Sequence, residues 1–190
     1  MDEAKQIVQS VRFPPAGDRG YGSLLALERF IPMPSLTEYL QQANDTLVTI
    51  IQIETKEALD AVDEIAGVDG VDALFLGPFD LGMFEDTNFS SHSYTRLTKL
   101  FLGNNIGHPI IDGVMDQKLT DALQRTFTAA RRAGKKCGIF AASAEQASHF
   151  KEEGYDMVVA ATDYTTLRFS LRTAMDVASG RQTQAKGGLF

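Results

Sequence analysis

An α/β fold on a parallel sheet is what this sequence predicts, and three observations predict it. Short apolar runs alternate with amphipathic helical patterns four times, which calls for parallel strands joined by right-handed crossovers. Glycines and capping residues punctuate the junctions between them. Two of the runs, residues 47–55 and 71–81, each carry a carboxylate just past their apolar part, Glu54 and Asp80.

The elements follow in order. Ala4, Ile7, Val8 and Val11 recur at helical spacing, so the sequence opens in an amphipathic helix. Phe13-Pro14-Pro15 stops it, and a glycine-rich loop, Ala16-Gly17-Asp18-Arg19-Gly20-Tyr21-Gly22, comes next. Pro32 and Pro34 break the following stretch; residues 36–43 read as a short helix capped by Ser35. The first strand lies near 47–53. Thr55 caps a single helix whose face is Ala58, Leu59, Val62 and Ile65, and Gly67 and Gly70 end it. The second strand is near 72–76, with a polar, irregular segment over about 82–116 behind it. Leu119, Leu123, Phe127 and Ala130 mark a further helix, stopped by Gly134. Residues 136–141 are the third strand. Ser143 with Gln146 makes a capping box for a helix down to Glu153, ended by Gly154. Residues 157–161 are the fourth strand. Asp163 caps the last helix, which Leu167, Leu171, Ala174, Met175 and Ala178 line on one side. Residues 181–190 form a polar tail.

Composition narrows the function classes. The sequence has 190 residues, 44% apolar, with a formal charge of −7. An acidic balance argues against non-specific nucleic-acid binding, which needs a basic surface. No apolar run approaches the roughly 18 residues of a membrane span. Met1-Asp2-Glu3-Ala4-Lys5 shows no secretory pattern, so a cytoplasmic setting is expected. Cys137 is the single cysteine and lies in a strand, where it reads as a small buried thiol rather than a nucleophile.

Four strand–helix units fit two architectures, an open doubly wound sheet or part of a (β/α)8 barrel. The carboxylates bear on the chemistry. Asp80 lies 26 positions after Glu54 (80 − 54), the length of one helix plus one strand. Parallel neighbours would then present both at the same end. Two carboxylates without a nearby Cys or His favour Mg²⁺ or Mn²⁺ over zinc. Each acid alone has an ordinary reading too: Glu54 in a first helical turn, Asp80 capping a turn after Pro78.

Gln52-Ile53-Glu54-Thr55-Lys56-Glu57-Ala58, Gly70-Val71-Asp72 and Gly77-Pro78-Phe79-Asp80-Leu81 resemble the HpcH/HpaI aldolase and citrate lyase family. Residues 13–22 are similar to that family's glycine loop, and residues 134–140 to its seventh-strand segment. Residues 34–44 are most similar in wording to fungal, macrophomate-synthase-like members. The resemblance covers most of 5–180. It implies a partial TIM barrel, (β/α)8 strands 5–8 with their helices, over residues 1–180. It also implies a divalent-metal-dependent aldolase for pyruvate-type 2-oxo acids, working through a metal-stabilised enolate. By position, Glu54 and Asp80 match metal ligands and Gln52 matches a substrate contact. The backbone at Pro78, Phe79 and Asp80 matches the approach to the substrate carboxylate. Full-length members are homo-oligomers whose last helix packs on a neighbour. The acceptor stays open, citramalyl- and malyl-type lyase chemistry included.

Two departures from the family set further expectations. The family's histidine base and transition-state arginine belong to earlier strands. None of His92, His108 and His149 has a matching context, and Arg19 fits loop rigidity or a subunit contact. Arg131, Arg132, Lys135 and Lys136 read as a solvated, dipole-favoured helix end. Little aldolase activity is therefore expected of residues 1–190 alone, and the rival reading is a non-catalytic homologue that docks on a full-length paralogue. The second departure is a stretch of 21 residues, 83–103, that separates Asp80-Leu81-Gly82 from Asn104-Asn105-Ile106-Gly107. Gly82-Met83-Phe84, Leu97-Thr98 and Phe101-Leu102-Gly103 permit intron donor, branch and acceptor sequences, so a retained intron is expected, alongside a start codon placed too late; a lineage-specific loop is the alternative.

Overall fold

The computed structural model describes residues 2–22, 24–82, 106–107, 110, 115–141 and 143–181. The stretch 83–103 and residues 182–190 of the tail lie outside the described residues, as do His92 and His108.

Four strands form one parallel sheet in the order β1 (Ile50–Ile53), β2 (Ala73–Leu76), β3 (Lys136–Phe140), β4 (Met157–Val159). The order is sequential, with no reversal along the sheet. Alternation decides which face is covered. Ile51, Ile53, Leu74, Leu76, Cys137 and Ile139 belong to the core cluster. They meet Leu59, Val62, Ile65 and Ala66 from α3 (Lys56–Asp60) and α4 (Val62–Ala66), and Leu119, Leu123 and Ala130 from α6 (Gln117–Arg132). Gln52, Phe75, Gly138 and Met157 pair across the sheet in one row on the other face, outside that cluster.

The first helix, α1 (Asp2–Val11), buries Ala4 and Val8. The glycine loop folds back on its last turn: Asp18 donates to Gln9 O at 3.0 Å and Arg19 to Arg12 O at 2.9 Å. Arg19 also lies over the Phe13 ring at 4.7 Å. Those contacts give Arg19 a role in holding its loop. A 3-10 helix, Leu24–Arg29, follows, which the sequence did not announce. Then α2 (Leu36–Thr46) starts on a full capping box, Ser35 with Glu38. Asn44 near its end ties it to the first segment, accepting from Phe13 N–H at 2.8 Å and donating to Phe13 O at 2.9 Å.

Several boundaries differ from expectation for visible reasons. The ladder of β1 begins at Ile50 rather than 47, because Thr49 N–H donates to the Asp72 carboxylate at 2.7 Å. The single helix expected after Thr55 divides at Ala61, whose φ of −95° and ψ of 12° leave the helical region. Thr55 does cap it, accepting from Ala58 N–H at 3.2 Å. Ser143 starts α7 (Ala144–Glu153) by accepting from Gln146 N–H at 3.2 Å. The last helix, α8 (Asp163–Ala178), is capped by Thr162, not Asp163. Thr162 has extended φ, ψ (−119°, 153°) and accepts from Thr165 N–H, while Asp163 takes Tyr164 N–H at 2.7 Å. No residue of α8 is buried, and Leu167, Leu171 and Met175 are about 60% exposed.

One device recurs at the N-terminal ends of the strands. Gly70-Val71-Asp72 leads into β2 and Gly154-Tyr155-Asp156 into β4. Both glycines have positive φ, 94° and 97°, a region open to Gly at little cost. Val71 and Tyr155 are buried. Each aspartate then accepts a backbone N–H from the preceding strand segment, Thr49 or Cys137.

Candidate active site

The Glu54 carboxylate sits one residue past β1 and just before the cap of α3. It is half-buried. Asp80 was expected at the end of the second strand. It lies instead in the first turn of α5 (Pro78–Gly82), four residues after Leu76 (80 − 76). The reason is local. Pro78 is suited to a first helical position, and Leu81 N–H donates back to Gly77 O at 2.9 Å, closing the turn. Leu81 and Pro78 are fully buried, which pins the turn against the body, while Asp80 stays exposed.

The two acids nevertheless share one end of the sheet, and the charge of Asp80 acts on Glu54. Burial, and then the Asp80 charge, raise the Glu54 carboxyl above its ordinary range. Gln52, two residues earlier on the open face, donates its side-chain amide to Glu54 Oε2. Gly77 N–H donates to Ile53 O at 3.3 Å, so the β1–β2 pairing runs up to the carboxylate.

These donors suit a hard divalent cation. Carboxylate oxygens are what Mg²⁺ and Mn²⁺ prefer, and one or two protein carboxylates completed by water or substrate are typical for Mg²⁺. A carboxyl raised first by burial and then by a neighbouring negative charge is a place where a cation would favour the ionised form. Among the described residues no group of three or more His, Cys, Asp or Glu gathers to hold a metal.

The remaining candidates fall elsewhere. His149 is on α7, exposed and 3.2 Å from Glu153. The basic cluster is tied down rather than merely solvated: Arg131 and Lys136 each reach Asp156 at 3.0 Å, and Arg132 pairs with Asp63. Cys137 is buried, and burial foremost pushes its thiol up to about 12, with Asp156 adding to the rise. Sequence reasoning missed the Gln52–Glu54 bond. The two residues stand at i, i+2 across the end of β1, a spacing that puts them on one face in extended chain, which was the available signal.

A four-stranded parallel sheet with the core helices packed on one face, and carboxylates following two consecutive strands, defines an α/β protein, a class whose sites commonly lie at the C-terminal strand ends. No helix among the described residues is long and apolar enough to cross a membrane. The sequence is more particular than that class. The model of the HpcH/HpaI aldolase/citrate lyase family matches residues 1–169, and the chain belongs to that family.

A 4-hydroxy-2-oxo-heptane-1,7-dioate aldolase of Shigella sonnei (strain Ss046) is 34% identical over 190 residues, 100% of this chain and 63% of that protein. An HpcH/HpaI aldolase/citrate lyase family protein from Burkholderia cenocepacia J2315 superposes with a TM-score of 0.68 at 28% identity, covering 94% of this chain and 61% of that one. Macrophomate synthase superposes with a TM-score of 0.67 at 22% identity, covering 95% of this chain and 55% of that one, a likeness of fold. The chain thus spans about three-fifths of the length of the curated relatives it matches.

Proposed function

We propose that this chain carries the metal-holding part of a divalent-metal-dependent carbon–carbon lyase, an aldolase for pyruvate-type 2-oxo acids. The observation that carries the reading is the meeting of Glu54 and Asp80 at one end of adjacent strands, close enough for the charge of one to shift the other. The family and the aldolase relative support it.

In this reading residues 1–180 are strands 5–8 of a (β/α)8 barrel. The sequential strand order and the open face opposite the helices support that over a doubly wound sheet, which carries helices on both faces. Residues 83–103 are an insert in that domain. Glu54 and Asp80 would hold Mg²⁺ or Mn²⁺, which supplies Lewis-acid polarisation to a chelating 2-oxo acid. Gln52 orients Glu54 and stands beside the substrate's place. The turn at Pro78, Phe79 and Asp80 would offer the backbone N–H groups of Phe79 and Asp80 to a substrate carboxylate. The histidine base and the arginine that the family resemblance puts on earlier strands are not among these 190 residues. Residues 1–190 alone should therefore bind metal while turning over slowly. We place the protein in the cytoplasm and, by likeness to full-length members of the family, in a homo-oligomer.

A second reading has its own observation. The apolar side of α8 and the sheet row with Gln52, Phe75 and Met157 lack a covering element among the described residues. They suit a non-catalytic homologue that docks on a full-length paralogue.

Calorimetric titration with Mn²⁺ tests the first reading. Wild-type residues 1–190 should bind one ion, and Glu54→Gln should abolish binding while leaving the thermal midpoint unchanged. No binding at millimolar Mn²⁺, or equal binding by Glu54→Gln, refutes it. Pyruvate release from a 4-hydroxy-2-oxo acid at rates typical of complete enzymes would refute the expectation of slow turnover.

A further inference from the structure

Gly77 joins β2 to α5 and is buried. Its backbone does not call for glycine. The glycines with positive φ are Gly70, Gly107, Gly134, Gly154 and Gly180, and Gly77 is not one of them. Its N–H makes an ordinary strand-like bond to Ile53 O, which any residue except proline could make. What the position lacks is room. The three nearest atoms that a Cβ placed there would meet all belong to Gln52 and Glu54. They are Gln52 Nε2 at 3.0 Å, Glu54 Cβ at 3.4 Å and Glu54 Oε2 at 3.5 Å.

The three distances differ in consequence. Those to Glu54 are ordinary van der Waals contacts. The one to Gln52 Nε2 is tighter than real Cβ atoms tolerate without a shift of a few tenths of an ångström. Nε2 is the atom that donates to Glu54 Oε2. A methyl group at position 77 thus acts first on the amide and only through it on the carboxylate. We propose that Gly77 is a positioning residue for this centre. By having no side chain it keeps open the space in which the Gln52 amide orients Glu54 toward a bound cation. The inference rests on the metal-binding reading above for its consequence, and on the Gln52–Glu54 bond for its geometry.

Partners that orient a metal ligand typically contribute about 10- to 100-fold in affinity. Removing the amide outright, Gln52→Ala, should then weaken Mn²⁺ binding about tenfold, and displacing it, Gly77→Ala, by about three- to tenfold. The double variant Gly77→Ala/Gln52→Ala should bind no more weakly than Gln52→Ala alone, because the methyl has nothing left to displace. The thermal midpoint of Gly77→Ala should stay near that of wild type.

The experiment pairs Mn²⁺ titration of the four proteins with ¹H–¹⁵N spectra of the metal-free forms. The Gln52 side-chain amide should be shifted downfield in wild type and return toward the free-amide position in Gly77→Ala. An unmoved Gln52 resonance in Gly77→Ala overturns the inference, as do additive losses in the double variant. Should wild type fail to bind Mn²⁺ while the resonance moves as expected, the metal reading falls and the positioning of Glu54 by Gly77 stands.

Discussion

Asp156→Ala should destabilise the protein by about 2 kcal/mol, mostly through one backbone group. Asp156 Oδ2 accepts Cys137 N–H at 2.9 Å, and its side chain is 22% exposed. Removing it leaves a part-buried N–H unsatisfied, which costs about 1–2 kcal/mol. The ion pairs add little. Lys136 is 69% exposed and Arg131 37%, so each pair contributes a few tenths to about 0.5 kcal/mol. For a chain of this length about 2 kcal/mol lowers the thermal midpoint by roughly 4–8 °C. The pH dependence has a definite sign. Burial alone would raise the Asp156 carboxyl, but the Cys137 N–H, Lys136 and Arg131 outweigh it and hold it below the ordinary range. A depressed folded value means the contribution is present above the unfolded value of about 3.9 and is lost as pH falls through the folded one. Urea unfolding at pH 7 and at pH 3 measures both parts, with the gap between wild type and Asp156→Ala closing at the lower pH. Asp156→Asn retains a carbonyl acceptor and should cost half as much or less. A loss below about 0.5 kcal/mol in Asp156→Ala, or equal losses for Ala and Asn, refutes the assignment to the Cys137 N–H.

Other outcomes follow from single positions. The Cys137 thiol, raised to about 12 chiefly by burial, should resist alkylation in the folded protein at pH 8 and react fully in denaturant; rapid native labelling would contradict this. Leu74 is fully buried at the centre of the helix-covered face, so Leu74→Ala should cost about 3–5 kcal/mol in chemical unfolding, and a loss under about 1.5 would show a poorly packed core. Gly154→Ala places a side chain at φ 97° and should cost about 1–2 kcal/mol, measured the same way against Gly67→Ala, whose φ is −77°.

Strand existence and order were legible because a one-sided parallel sheet prints itself as short apolar runs separated by one helix. Strand length was less so. Leu47 and Val48 extend the apolar run of β1 toward its start, yet Asp72 takes the Thr49 N–H and the ladder starts at Ile50, three positions after 47 (50 − 47). No pattern of hydrophobicity carries that information, since the decisive group is a polar side chain 23 residues away (72 − 49). The division at Ala61 is similar. Neither Gly nor Pro marks it; the only local signal is that its neighbours Asp60, Val62 and Asp63 are weak helix formers. The apolar side of α8 marks the limit of periodicity in another way: a 3.6-residue period reports amphipathicity, which the helix has, and not what, if anything, covers the face.

The candidate site was legible in its residue types and less so in its geometry. Glu54 and Asp80 were found as acids after adjacent strands, but a strand ending directly in Asp80 would have aimed it differently from a carboxylate carried on a proline-started helical turn. That difference bears on the chemistry. A carboxylate fixed by the ladder is rigid, whereas Asp80 rides on five residues whose anchors are buried Pro78 and Leu81. Glu54 is the opposite case, bracketed by the strand behind, the Thr55 cap ahead and the Gln52 amide alongside. In the proposed metal reading a strand-end carboxylate and one on a pinned helical turn would together suit a hard ion, whose remaining positions go to water or substrate. The role proposed for Gly77 belongs to this same junction: it is the last residue before α5, and the nearest atoms to a Cβ there are those of Gln52 and Glu54.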